Sequence, residues 1–129
     1  MIRARILVAA DDPDMLATVG DALERRGAVV VRAASGADLI ERIADEGPFT
    51  LIVTDVSMPW MSGLQAMHSA RTVGVDTPLI VMTGFSDDQL AAQVAALGPN
   101  AALLEKPFEL AELCAMVEEV LATERASSR

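Results

Sequence analysis

A handful of polar residues stand where short aliphatic runs end, and their types could do chemistry. Asp11 and Asp12 follow Ile6 to Ala10, Asp55 follows Leu51 to Thr54, Thr83 follows Leu79 to Met82, and Lys106 follows Ala101 to Glu105. Three carboxylates brought to one spot repel each other, which raises some of their pKa values. A divalent cation removes that repulsion and inverts the local logic. Mg²⁺ suits the task, because it takes one or two carboxylates together with waters and phosphate oxygens. An aspartate can also act as a nucleophile toward phosphorus and form an aspartyl phosphate. With Mg²⁺, an ammonium from Lys106 and a hydroxyl from Thr83 beside it, the phosphoryl oxygens would be neutralised and held, which is most of what phosphoryl transfer requires. Taken singly, each residue has a plainer reading. Asp55 can start a turn, Asp12 can cap a helix, Thr83 before Gly84 can be a turn residue, and Lys106 before Pro107 can be a solvated charge. The ordered set is what points to a site.

These residues meet only if the elements between them bring one edge of a sheet together. Ile6 to Ala10 reads as a first strand, stopped by Asp11-Asp12-Pro13, with Pro13 suited to the first helical position. Met15, Leu16, Val19, Ala22 and Leu23 recur at helical spacing before Gly27. Ala28 to Val31 predicts a second strand. Ser35-Gly36 opens a second helix with Leu39, Ile40 and Ile43 on its apolar face, ended by Gly47-Pro48. Leu51 to Asp55 predicts a third strand, apolar enough for the middle of a parallel sheet. Ser62 and Gln65 form a capping-box pattern for a third helix. Leu79 to Met82 predicts the fourth strand, and Ser86 with Gln89 predicts another capping box, for a helix lined by Leu90, Val94 and Leu97. Ala101 to Glu105 predicts the fifth strand, and a fifth helix is expected to bury Leu110, Leu113, Val117, Val120 and Leu121. From Thr123 to Arg129 the chain turns polar and is expected to fray. Five strands alternating with five helices through short connections predict an α/β fold, a parallel sheet with helices on both faces. Chemistry in such sheets lies at the carboxyl ends of the strands.

With 129 residues, the chain is one domain of ordinary size. It is 52% hydrophobic but only 3% aromatic, so its core must be aliphatic. Net charge is −9, a poor basis for binding nucleic acid through phosphate contacts. The single Cys114 excludes an internal disulfide and a cysteine-only metal site, and suits a reducing compartment. No apolar run is long enough to cross a bilayer, and no secretory leader pattern is present, so a cytoplasmic protein with no membrane contact is expected, or a domain cut from something larger.

The chain resembles the receiver domains of bacterial two-component response regulators, of the chemotaxis-regulator type. The matching residues are the pair Asp11-Asp12, the segment Asp55-Val-Ser-Met-Pro-Trp-Met-Ser-Gly63, Thr83-Gly84 and Lys106-Pro107-Phe108, and the match runs from Ile6 to about Leu121. The resemblance implies a flavodoxin-like, doubly wound five-stranded parallel sheet of order 2-1-3-4-5. It places a receiver domain at 1–122 and a polar tail at 123–129. It implies that Asp55 accepts a phosphoryl group from a histidine kinase or a histidine phosphotransfer protein. It implies Mg²⁺ held by Asp12, Asp55 and the main-chain carbonyl of Ser57, with Asp11 acting through water, and a cis Lys106-Pro107 bond. Output is then expected through a protein target on the face of the fourth helix, fifth strand and fifth helix, with no enzymatic activity beyond the domain's own phosphorylation and dephosphorylation. The segment from Leu97 to Phe108 is similar to receivers attached to hybrid histidine kinases.

One position departs from the pattern. Leu103 stands where many receivers carry an aromatic that swings inward as the threonine moves, so the usual route from phosphate to output face is in question. A phosphate-independent pseudo-receiver is the alternative that Leu103 leaves open. A flavodoxin would need a phosphate-cradling loop where this chain has Asp11-Asp12-Pro13, and an aspartate-nucleophile phosphatase would need a second acid where it has Ser57. His68 reads as a surface residue of the third helix, Trp60 as a partly exposed residue beside the Asp55 loop, and Cys114 as a small core residue. The resemblance also implies that Ser57 and Phe85 flank the path of the water that attacks the phosphoryl group.

Overall fold

The computed structural model describes residues 3–58 and 61–127, with side chains to 124. The elements run in strict alternation: β1 (Arg5–Ala9), α1 (Pro13–Arg25), β2 (Val29–Ala33), α2 (Gly36–Glu46), β3 (Leu51–Asp55), α3 (Gly63–Thr72), β4 (Leu79–Thr83), α4 (Asp88–Ala95), β5 (Ala101–Glu105) and α5 (Leu110–Ser127). All strand pairs are parallel and the sheet order is β2-β1-β3-β4-β5, as expected. The order reverses between β1 and β3, where open sheets of this kind form a crevice beyond their carboxyl ends.

The period-2 alternation of strand side chains divides the core in two. Ile6, Val8, Leu51, Val53, Ile80, Met82 and Leu104 pack with Leu23, Leu113, Val117 and Leu121, the layer of α1 and α5. Leu7, Ala9, Ile52, Leu79 and Val81 pack with Leu39, Ala66, Met67, Leu90 and Val94, the layer of α2, α3 and α4. Every residue of β3 and β4 is buried, while β2 and β5 form the partly exposed edges. Cys114 is a buried core residue. No helix among the described residues is long and apolar enough to cross a membrane.

Several boundaries differ from the sequence reading, each for a physical reason. β1 runs from Arg5 to Ala9 because Arg5 pairs in register with Val29, and Ala10 already leaves the ladder. β2 extends through Arg32, which an edge strand tolerates because its guanidinium turns to Asp21 Oδ1 at 3.0 Å and Glu24 Oε1 at 2.8 Å on α1. The bond from Arg32 lowers the pKa of Glu24. α1 ends as predicted, with Gly27 at φ 100° just past its last turn. The Ser62–Gln65 capping box is formed on both sides. The Ser86–Gln89 box is not: Asp87 caps α4, its Oδ1 accepting from the Leu90 amide at 2.7 Å. Leu110 stands at the first turn of α5 and is exposed, and Val120 is only half-buried. α5 also continues to Ser127 instead of fraying at Thr123. Its last residues are ordinary helix formers, the Thr123 hydroxyl donates back to the Glu119 carbonyl at 3.0 Å, and Glu124 Oε1 accepts from Asn100 Nδ2 at 3.3 Å.

Arg71, unmarked by any sequence pattern, fastens the end of the sheet away from the polar residues. Its half-buried guanidinium donates to the carbonyls of Leu97 at 2.8 Å and Val75 at 3.0 Å and to Asn100 Oδ1 at 3.2 Å, joining α3 to the turn before β5. Burial pulls its pKa below the ordinary guanidinium value, and Asp76 opposes the shift. Substituting Arg71→Ala strands these acceptors, so urea unfolding should show a loss of about 2–3 kcal/mol; a loss near zero would mean that water replaces the guanidinium without cost.

Candidate functional site

The polar residues gather at the carboxyl edge of the sheet, and strand parity decides which of them touch. Asp55 continues the Leu51, Val53 series and Lys106 continues the Ala102, Leu104 series, so both face the α1–α5 layer. Lys106 Nζ reaches over the end of β4 to Asp55 Oδ2 at 2.5 Å. The Asp55 side chain is 5% exposed and that of Lys106 is 27% exposed. The other carboxylate oxygen, Oδ1, accepts from the Ser57 amide at 3.1 Å. The carboxylate is therefore buried and held from two sides. The Lys106-Pro107 bond is cis, as expected, and the Lys106 amide donates to the Thr83 carbonyl at 2.7 Å, fixing the end of β5 against β4.

Thr54 and Gly63 hold the backbone beneath Asp55, and the sequence reading singled out neither for this purpose. Thr54 is fully buried, and its hydroxyl donates to the Asp55 carbonyl at 3.1 Å. Gly63 opens α3 against the same spot, its amide donating to the Val56 carbonyl at 3.1 Å. A Cβ on Gly63 would stand 2.2 Å from the Asp55 carbonyl oxygen and 2.6 Å from Thr54 Oγ1. Only glycine permits this approach. The signal in the sequence is slight: one hydroxyl in an apolar strand, and a glycine after a helix cap.

The remaining candidates are near but not in contact with this pair in the same way. Asp12 Oδ1 caps α1 by accepting from the Asp14 amide at 2.9 Å, so the plainer reading of Asp12 holds for that oxygen. Asp11 and Asp12 are exposed. Among the described residues, no three acid, histidine or cysteine side chains are gathered tightly enough to form a metal site. The donor chemistry still suits Mg²⁺, since carboxylates and a main-chain carbonyl are hard oxygen ligands and the ion asks for only one or two carboxylates. Thr83 has the opposite parity to Asp55 and lies with Leu79 and Val81 toward the α4 layer. Its hydroxyl is bonded to the backbone of Phe85, as donor to the carbonyl at 2.7 Å and as acceptor from the amide at 3.1 Å. Phe85 is 75% exposed at the rim. His68 is exposed on α3, in a groove of about 830 Å³ between α3 and α4, away from Asp55. Pro59 and Trp60 lie outside the described residues.

A sheet of this order, with a buried aspartate bonded to a lysine at its carboxyl edge, defines the site, and the relatives agree. Residues 6–118 match the family described as the response regulator receiver domain, and the chain belongs to that family. It is 36% identical over 123 residues to the response regulator receiver protein CpdR of Brucella abortus, covering 91% of this chain and 96% of that protein. It is 36% identical over 118 residues to the response regulator MprA of Mycobacterium ulcerans, but there it spans only 50% of the relative's length. Among solved structures, a CheY-like receiver domain from Methanospirillum hungatei superposes with a TM-score of 0.88 at 24% identity, covering 95% of this chain and 97% of that one. The chemotaxis protein CheY4 of Vibrio cholerae gives 0.84 at 25% identity, covering 92% and 99%.

Two substitutions separate the support of the site from its charge. Gly63→Ala should cost about 1–3 kcal/mol in urea unfolding, since backbone must shift to admit the methyl group. Lys106→Ala leaves a buried carboxylate without its cation and should cost on the order of 3 kcal/mol, whereas Asp55→Asn keeps an acceptor for the Ser57 amide and should stay within about 1 kcal/mol. Equal losses for Lys106→Ala and Asp55→Asn would show that solvent at the sheet edge, and not Lys106, stabilises the carboxylate.

Proposed function

We propose that this receiver domain is a phosphorylation switch in which Asp55 is the acceptor. The observation that carries the reading is the contact of Lys106 Nζ with Asp55 Oδ2 at 2.5 Å on a buried carboxylate at the carboxyl edge of the sheet. The donor is a phosphohistidine of a histidine kinase or of a phosphotransfer protein. A carboxylate oxygen of Asp55 attacks phosphorus, the P–N bond breaks, and the imidazole leaves with a proton taken from solvent. The product is an acyl phosphate. Lys106 orients the carboxylate before attack, and its ammonium is already placed where negative charge grows. The Ser57 amide holds the second oxygen and fixes the plane of the group. Asp12, Asp55 and the Ser57 carbonyl would hold Mg²⁺, with Asp11 acting through water. When bound, the ion neutralises phosphoryl oxygens that the lysine alone leaves charged.

The output of this reading is a change in protein contacts on the face of α4, β5 and α5. Direct binding to nucleic acid is no part of it, because a net charge of −9 opposes approach to a phosphate backbone. A cytoplasmic setting goes with the kinase as donor. The receiver unit is taken as 1–122, with 123–129 as its polar C-terminal tail, the first part of which continues α5.

Intact mass after incubation with acetyl phosphate and Mg²⁺ tests the assignment. Wild-type protein should gain one phosphoryl group, Asp55→Asn none, and omission of Mg²⁺ should sharply reduce the gain. A phosphorylated Asp55→Asn protein would sink the assignment.

A further inference from the structure

Positive charge is unevenly spread along this chain. From Gly84 to Glu124 there are eight acidic residues and one basic residue, Lys106, which is turned to Asp55. The arginines that pair with acids lie elsewhere. Arg32 pairs with Asp21 and Glu24, Arg42 with Asp38 and Glu46, and Arg26, just past α1, with Glu118 of α5. Another side of α5 carries Glu112, Met116, Glu119 and Thr123 at helical spacing. Glu112 and Glu119 are exposed, and among the described side chains neither has a cationic partner.

That side of α5 borders the outer edge of the sheet. β5 pairs only with β4, and its first two residues are alanines, which leave space beside the helix. A cleft of about 230 Å³ lies between Ala101 and Ala102 on the strand and Met116 and Val120 on the helix, with Glu119 and Glu124 also lining it. The four apolar residues are all half-buried. Sites for small molecules run to about 300–1,000 Å³, so this cleft is sized for a single apolar side chain. It is also held in shape. Asn100 Nδ2 donates to Glu124 Oε1 at 3.3 Å, and Asn100 Oδ1 accepts from the Arg71 guanidinium at 3.2 Å. A cleft already in shape spares its ligand the cost of ordering it.

The charge around the cleft decides what can fill it. Nucleic acid and anionic lipid are repelled. A second copy of the chain would meet the same face in a two-fold contact, acid against acid, and a charged strand edge resists pairing with its like. A cationic segment of another protein meets complementary charge. We infer that the cleft between β5 and α5 docks a lysine- and arginine-rich segment of a partner protein. One aliphatic side chain of that segment seats between Ala102 and Met116, and its basic residues stand against Glu112 and Glu119. The inference does not rest on Asp55 as the acceptor. Ala102 lies four residues before Lys106, about 13 Å back along the strand, and neither bond that shapes the cleft involves the Asp55 site. The segment is therefore held in either phosphorylation state, and the changes of contact proposed above take place around it.

Fluorescence anisotropy with the 129-residue chain and a labelled peptide, Gly-Arg-Lys-Leu-Arg-Lys-Gly, tests the docking at low salt, where screening is weak. Saturable binding is expected. Serine in place of the leucine should weaken it about tenfold, the cost of losing a buried apolar anchor. Glu119→Lys should weaken it about fivefold, whereas Glu41→Lys, the same charge change on the exposed surface of α2, should leave it within about twofold. Met116→Lys, which obstructs the cleft, should weaken it about tenfold. Circular dichroism checks that each variant is folded, and if Met116→Lys is not, the exposed Glu119→Lys carries the comparison. Equal affinity for the leucine and serine peptides, or equal losses in Glu119→Lys and Glu41→Lys, would mean attraction to overall negative charge and overturn the docking site. No saturable binding up to about 1 mM peptide overturns it as well. So does a dimer in sedimentation equilibrium that Met116→Lys disperses, since a second copy would then cover the cleft. In protein shown by intact mass to carry a phosphoryl group, the affinity should stay within about twofold of the unphosphorylated value; a change of roughly tenfold overturns the constitutive hold and leaves the acceptor reading intact.

Discussion

The contact between Lys106 and Asp55 sets the terms for much of this structure. A carboxylate side chain 5% exposed is expensive to keep charged, and an ammonium 2.5 Å away offsets that cost. The two residues lie 51 positions apart, one at the end of β3 and one just past β5, with β4 between those strands. For the lysine to arrive, β3, β4 and β5 must stand in one register, and a slip of one residue would send either side chain to the opposite face. The buried core enforces that register. Leu51, Val53, Ile80, Met82 and Leu104 all fill the α1–α5 layer, and any slip would exchange them with the side chains of the other layer.

The loop after β3 is constrained from below as tightly as the carboxylate is from above. Gly63 and Thr54 press on the Asp55 carbonyl, and the Val56 amide donates to the Met82 carbonyl at 3.0 Å. Gly36 at the start of α2 packs just as closely on the Met61 backbone, 2.2 Å from where its Cβ would stand. A rigid floor of this kind favours a site that works by position and charge. The loop after β4 is built differently. The Thr83 hydroxyl holds it through the amide and the carbonyl of Phe85, and it carries an exposed aromatic.

Much of the site was legible because it lies where periodic patterns stop. Asp55, Thr83 and Lys106 each end an aliphatic run, and the Ser62–Gln65 box is a local motif that forms as read. Ser86 and Asp87 are adjacent cap candidates for α4, and it is the Asp87 carboxylate that accepts from the Leu90 amide. At the end of α5 polar composition points to fraying, while the helix propensity of those residues and the contact of Glu124 with Asn100 favour continuation. Arg71 and the Thr83–Phe85 hydrogen bonds left no pattern, since their partners are mostly backbone atoms, which carry no residue identity.

By itself the sequence determined the alternation of elements, the parallel sheet and the residue types at its carboxyl edge. These follow from hydrophobic periodicity and short connections, which are local properties of the chain. The tertiary structure decided which of those residues touch. Parity and sheet order joined Asp55 to Lys106 across β4, gave one oxygen of Asp12 to a helix cap and turned the Thr83 hydroxyl to Phe85. Such choices depend on distances of a few ångströms between segments far apart in the chain, and those distances exist only once both layers of the core have closed on the sheet.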